Sequence, residues 1–285
     1  MIHNSPPPTT SQTSLSAQRV SLHAGPRTLL DAFTHTFYAG EMWCIAGPNG
    51  AGKTTLLATL AGLRSPSAGQ VELDGVRVAD WPPLPLAQRR ALMPQSVADA
   101  FSASVLDIVM LNRFPHLNGW GWEGAADREA ARAALDLLGL GGFAARDVLS
   151  LSGGERQRVA LAAVLCQDAP LLLLDEPLSH LDLHHQIECL EALAAWMREA
   201  GRTVLFSCHD LNLARRFATH ALLLDGEGSA YAGPVHDVLT PALASRAFGY
   251  PLILIRDGEH EALIPAPRAR QERHESQANH DTPAG

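Results

Sequence analysis

Short, nearly unbroken runs of apolar or β-branched residues punctuate the chain, at Trp43-Cys-Ile-Ala46, Leu171-Leu-Leu-Leu174, Thr203-Val-Leu-Phe206 and Ala221-Leu-Leu-Leu224. Runs of this length suit strands buried on both faces, as in a parallel sheet covered by helices. Helical patterns stand beside them. Leu183, Ile187, Leu190, Leu193 and Met197 form one stripe, and Ala131, Ala134, Leu135 and Leu138 fall at i, i+3, i+4 and i+7. Strands alternating with helices predict an α/β domain. The first third reads differently. Arg19-Val-Ser-Leu22 and Thr28-Leu-Leu30 are short β segments, and Gln70-Val-Glu-Leu-Asp-Gly75 reads as an edge strand closing on an Asp-Gly hairpin. Ala91-Leu-Met93 is a further short strand, arriving at Pro94-Gln95. Residues 96–150 lose the strand pattern and predict a helical insertion, with a loop of Pro, Gly, Trp120 and Trp122 at its middle.

The ends are polar. Residues 1–18, rich in Pro, Ser and Thr, predict a disordered leader, and residues 266–285 a disordered tail. The folded part is placed at 19–265, with the insertion at about 96–150 inside its α/β core. At 285 residues and 46% hydrophobic, the chain has ample length for a core. A net charge of -8 leaves no dominating positive field and argues against a nucleic-acid partner. No apolar stretch approaches the length of a membrane span, and the N-terminus lacks the pattern of a signal peptide. The four cysteines, Cys44, Cys166, Cys189 and Cys208, make no C-x-x-C pair and read as small buried hydrophobes.

Chemistry enters at Gly47-Pro-Asn-Gly-Ala-Gly-Lys-Thr-Thr55, which fits G-x-x-x-x-G-K-[ST] between a strand and a helix pattern. Its glycines let backbone N–H groups converge on phosphate oxygens, and the new helix adds its positive end. Lys53 can reach the terminal phosphates and the Thr54 hydroxyl can ligate Mg²⁺. Downstream, the strand at residues 171–174 ends in Asp175-Glu176, an expected Mg²⁺-side carboxylate followed by a candidate general base. Leu151-Ser-Gly-Gly-Glu-Arg-Gln157 opens a helix, with Ser152 and Glu155 in capping-box spacing. Read blandly, it is a well-capped helix. Its Ser-Gly-Gly start is also a second anion site, and two chains facing each other could use one such loop from each.

These motifs, in this order and spacing, resemble the ATP-binding subunit of an ATP-binding cassette (ABC) transporter over residues 19–265. Gln95 falls at its Q-loop, Ser179-His-Leu-Asp182 at its D-loop and His209 in Ser207-Cys-His-Asp210 at its switch histidine. The resemblance implies an α/β P-loop NTPase (ABC ATPase) sheet core with N-terminal antiparallel β strands and a helical subdomain insertion. It implies ATP and Mg²⁺ as ligands, and a head-to-tail homodimer with two ATPs at the interface. Gly47, Pro48, Asn49, Gly50, Ala51, Gly52, Lys53, Thr54 and Thr55 would cradle the phosphates, and Thr54, Gln95 and Asp175 would complete the Mg²⁺ site. Glu176 would polarise the attacking water, and His209 would hold it in register. Ser152, Gly153 and Gly154 would reach the partner's ATP, and Asp182 would bridge the two sites. The position where the family usually places an aromatic for adenine falls at Leu22, next to His23, so stacking on the base is not provided for. His180, His184 and His185 offer no third metal ligand, and the D-loop already explains that segment.

The resemblance further implies integral membrane permease subunits as partners, an indirect link to a periplasmic or extracellular substrate-binding protein, and a place at the cytoplasmic face of the inner membrane. Residues 97–113, with Phe101, Val105 and Ile108, offer anchors for a permease helix, or core for the insertion. Asn112-Arg-Phe-Pro-His116, Asp210-Leu-Asn-Leu-Ala214, residues 233–240 and Phe248-Gly-Tyr-Pro-Leu252 resemble the subfamily that imports iron-siderophore, haem or cobalamin. A transporter for another substrate, or a soluble ABC protein of translation or chromosome maintenance, remains the alternative at this point.

Overall fold

The computed structural model describes residues 13–95, 102–117, 124–198, 201–258 and 260–267. Along the chain come β1 (Ser14–Ala24), β2 (Arg27–Tyr38), β3 (Met42–Ala46), α1 (Lys53–Leu60), β4 (Ala68–Leu73) and β5 (Val76–Arg77). Then follow α2 (Pro83–Arg89), β6 (Arg90–Met93), α3 (Val105–Met110), α4 (Ala125–Leu137), α5 (Gly153–Cys166) and β7 (Leu171–Leu174). The last part holds α6 (Leu183–Met197), β8 (Thr203–Ser207), α7 (Leu211–Phe217), β9 (His220–Leu224), β10 (Ala230–Pro234), α8 (Val235–Val238), α9 (Pro241–Phe248), β11 (Leu252–Asp257) and β12 (His260–Pro265).

Among the described residues the strands form an antiparallel sheet β2-β1-β4-β5, a mainly parallel sheet β10-β9-β3-β8-β7-β6 and the hairpin β11-β12. The parallel strands are buried on both faces, which is why their sequences are unbroken. Cys44, Leu172, Leu174, Phe206 and Leu223 point into one core, shared with α4, α5 and α6. Their neighbours Trp43, Ile45, Leu173, Leu205 and Leu222 point into the other, shared with α1 and the antiparallel sheet. Alternation survives as a choice between two apolar compartments rather than between core and water.

Several expectations shift. Residues 14–18, expected within the leader, belong to β1: Leu15 and Ala17 are buried and alternate with Ser14 and Ser16, and β1 lies between β2 and β4; residues 1–12 lie outside the described residues. The strand at Gln70 is internal, and the short β5 beyond the Asp74-Gly75 turn forms the edge. Leu183, which the stripe places with the core face of α6, is 62% exposed because it is the first residue after the Asp182 cap, whereas Leu190 and Leu193 are buried. Val105 is buried in the insertion's core and offers no surface anchor. Phe101, Trp120, Trp122 and residues 268–285 lie outside the described residues. The four cysteines are free and buried; burial pushes Cys166 up to about 11 and Cys189 up to about 12, so those two stay protonated thiols at neutral pH. Gly62 ends α1 as its position predicts, at φ 78°, where a Cβ would lie 2.3 Å from Val78 Cγ1.

At the far end of the sheet from the motif loops, His35 packs edge-on to Trp43 (ring centroids 4.7 Å apart) and Phe37 (5.0 Å). Its Nε2 is buried without a hydrogen-bond partner. Burial holds this imidazole below its ordinary range and nearby His220 adds to the effect, against the opposing pull of Glu41. The folded state therefore binds its proton less readily than the unfolded one. Stability is complete above the unfolded value near 6.5 and is lost as pH falls through and below it. Urea unfolding from pH 8 to pH 5 is expected to show this loss, and His35→Phe is expected to lose less over the same interval.

Candidate active site

The loop between β3 and α1 needs its glycines. Gly47 has φ 149°, and a Cβ there would sit 2.5 Å from the Leu224 carbonyl oxygen, so the loop could not pass so close to β9 with a side chain. Gly52 caps α1 at φ 103° without any side-chain hydrogen bond, and the first turn holds no acidic residue. The opening N–H groups of this helix are thus left for an anion. Lys53 is 6% exposed, and its Nζ donates to the carbonyls of Gly47 (2.8 Å) and Pro48 (3.1 Å). Burial lowers its pKa, while the charges of Glu176 and Asp175 push back toward the ammonium form.

Lys53, Thr54, Thr55, Gln95, Glu176 and His209 all line one cavity of about 650 Å³. Asp175 and Glu176 follow the buried β7. Asp175 is 2% exposed; its N–H donates to the Met93 carbonyl (2.9 Å), and its Oδ1 accepts from Ser207 Oγ (2.7 Å). Its Oδ2 is buried and without a partner. Glu176 has a left-handed backbone, φ 50°, its N–H donating to Ser207 Oγ and its carbonyl accepting from Gln157 Nε2 (2.9 Å). His209 Nε2 lies 2.9 Å from Glu176 Oε1. Burial pushes the Glu176 carboxyl up, but hydrogen bonds from His209 and Gln95 and the charges of His209 and Lys53 outweigh it and hold the group below its usual range. The carboxylate is therefore ionised at neutral pH, the form a general base requires.

The second motif sits elsewhere. Ser152 caps α5, its Oγ accepting from Glu155 N–H (3.3 Å) while Glu155 Oε2 accepts from Ser152 N–H (2.7 Å). Arg146 grips the other oxygen of Glu155 at 2.9 Å. The Ser152 amide, then Arg146, draw this carboxyl down to about 2. Gly154 packs on the segment ahead of α6; a Cβ would come 3.0 Å from the His180 carbonyl oxygen. Asp182 caps α6 by accepting from His185 N–H (2.9 Å). Ser152, Gly154 and Asp182 line a separate hollow of about 540 Å³ to which no residue of the 47–55 loop contributes. Within one chain the structure unites the loop, Gln95, Glu176 and His209, and leaves the α5 start and Asp182 apart from them.

Several residues of this arrangement escape the sequence reading. Leu22, at the position expected to meet the base, is buried in the core, and Ala24, Arg27 and Leu29 line the cavity. The Arg27 guanidinium is pinned there by the Gly226 carbonyl, at 2.7 Å from Nη2. Ser207 and Gln157 had a signal only in their nearness to His209 and Ser152 along the chain.

The ABC transporter family model matches residues 30–179. Hemin import ATP-binding protein HmuV of Nocardia farcinica is 43% identical over 235 residues, covering 80% of this chain and 79% of the relative. Iron(3+)-hydroxamate import ATP-binding protein FhuC of Bacillus subtilis is 34% identical over 244 residues, covering 86% and 91%. A solved chain from a structure described as a metal-chelate type ABC transporter in an inward-facing conformation superposes with a TM-score of 0.78 at 28% identity, covering 90% of this chain and 99% of that one. By these matches, and by the loop geometry above, the chain belongs to the ABC transporter family, among its ATP-binding ATPase subunits.

Proposed function

We propose that this subunit hydrolyses ATP to drive import of haem or a ferric chelate through a separate membrane permease, and that it does so as a homodimer with nucleotide held between two copies. The observation that carries the dimer is the separation of the two phosphate-binding helix starts into different cavities. One triphosphate cannot touch both within a chain, so each copy supplies half of two sites. The loop of residues 47–55, with Lys53, holds the phosphates from one side. Ser152, Gly153 and Gly154 approach the terminal phosphate from the partner, and Asp182 stands between the two sites.

The oxygen donors of Thr54, Gln95 and Asp175 suit Mg²⁺, and the buried, unpartnered Oδ2 of Asp175 is what such a site leaves for a metal or its water. Mg²⁺ held there would offset charge on the phosphate oxygens. Glu176 accepts the proton of the attacking water, and His209 fixes the carboxylate that does so. Loss of the terminal phosphate removes the ligand shared by the two halves, so the closed dimer is favoured by ATP and released after hydrolysis.

A mostly apolar groove of about 270 Å³, lined by Leu92, Met93, Pro94, Ile108, Asn112 and Val159, runs beside Gln95. Phe114 and Leu111 stand exposed nearby on the chain, at 67% and 58%. The groove fits a short permease helix, and its Pro94 wall is bonded directly to Gln95, which contacts Glu176. Among the described residues no helix is long and apolar enough to cross a membrane, consistent with a separate pore. The cargo assignment rests on the hemin and ferric hydroxamate relatives; cobalamin has less support.

Glu176→Gln is expected to bind ATP, lose turnover and accumulate as a dimer; near wild-type phosphate release would remove the general-base role. Ser152→Arg is expected to bind nucleotide as a monomer and fail to dimerise with ATP in size-exclusion chromatography, and a normal ATP-dependent dimer would end the shared-site reading. Reconstituted with its permease and binding protein, the ATPase rate is expected to rise with haem. A rise with a ferric hydroxamate instead would move the cargo to that class, and a rise with neither would reject both.

A further inference from the structure

Ser207 closes β8 and is 1% exposed, in a run where Val204, Leu205 and Phe206 are fully buried. A buried hydroxyl in such a run needs partners. It carries one proton and two lone pairs, and the structure uses both kinds. Oγ donates to Asp175 Oδ1 at 2.7 Å and accepts the Glu176 N–H at 2.7 Å. One oxygen thus ties the end of β8 to two consecutive residues at the end of β7.

Two constraints result. With Oδ1 engaged, the Asp175 carboxylate cannot rotate freely, and Oδ2 stays the oxygen without a protein partner. With its N–H engaged, Glu176 is held in a left-handed backbone that non-glycine residues seldom adopt, and its carboxylate stays within 2.9 Å of His209. Ser207 stands two residues before His209, so acid, base and histidine are indexed to one strand end.

We propose that Ser207 is a positioning residue for ATP hydrolysis, setting the orientation of Asp175 toward Mg²⁺ and of Glu176 toward water through one bridging hydroxyl. The proposal rests on the roles given above to Asp175 and Glu176. Its test compares Ser207→Ala, Ser207→Thr and Ser207→Cys with wild type and with Glu176→Gln. Ser207→Cys fills the space but donates weakly, so the result does not depend on the alanine variant folding. Four quantities are read: binding of a fluorescent ATP analogue in EDTA, the rise in Tm that Mg²⁺ adds beyond ATP alone, the Mg²⁺ concentration giving half-maximal ATPase, and kcat. For Ser207→Ala and Ser207→Cys, binding in EDTA is expected to stay within about twofold of wild type. The Mg²⁺ increment in Tm is expected to shrink, and kcat to fall about tenfold to a hundredfold with a raised Mg²⁺ requirement. Ser207→Thr is expected to restore both.

An unchanged Mg²⁺ increment and kcat in Ser207→Ala would overturn the proposal. So would an equal loss of EDTA binding and Mg²⁺ response that threonine fails to restore, since that marks a scaffold role. The Tm increment requires no turnover, so it judges the link to Asp175 even if an active Glu176→Gln removes the general-base reading.

Discussion

Burying the central parallel strands on both faces is the constraint from which the site follows. β3, β7 and β8 run in one direction, paired as Cys44 with Phe206 and Leu174 with Phe206, so their carboxyl ends emerge side by side. The phosphate loop, the Asp175-Glu176 pair and the Ser207-to-His209 segment are what follow those ends. None of them chooses its neighbours; the register does. Two apolar compartments, one on each face, keep that register from slipping, because a one-residue shift would exchange the sides of every residue. Trp43 and Ile45 fill one compartment and Cys44 and Ala46 the other, so each strand residue before the loop is committed.

On that frame the charges balance one another. A lysine buried as deeply as Lys53 is costly, and two carboxylates set close to it offset part of that cost. The same carboxylates are kept apart in role by their surroundings. Asp175 is buried and bridged by Ser207, with one oxygen unpartnered. Glu176 is more open and meets His209 and Gln95, which favour its ionised form. Two adjacent acids thus differ in environment through position rather than residue type, which suits them to the separate roles proposed above.

Much of this was legible in the sequence because it depends on local pattern. The unbroken leucines of β7 announced double burial, Gly47 and Gly52 announced a loop at close quarters, and Ser152 with Glu155 announced a capped helix. What escaped depends on partners distant in the chain. Leu15 and Ala17 alternate with serines that look like linker until β4 pairs beside them. Val105 resembles a surface anchor until α3 is packed against α5. Leu22 occupies the position expected for an aromatic, but β1 turns it inward, and Ala24, with Arg27 at the start of β2, lines the cavity instead. Ser207 stands in the sequence only as the lead-in to His209; its contacts with Asp175 and Glu176 appear only once β7 and β8 lie side by side.

The start of α5 stands apart from the phosphate loop, in a hollow of its own. Its cap is self-satisfied: Ser152 and Glu155 exchange hydrogen bonds, and Arg146 neutralises the glutamate. That leaves the helix rigid, with its small Ser-Gly-Gly face toward the hollow it shares with Asp182. No residue of this face lines the cavity of the chain's own phosphate loop. In the dimer proposed above a second molecule brings it to the phosphate, so formation of the complete site and closure of the dimer would be one event. The apolar groove beside Gln95 then becomes the natural place for a permease to influence that event, since Pro94 and Gln95 are consecutive and Gln95 contacts Glu176.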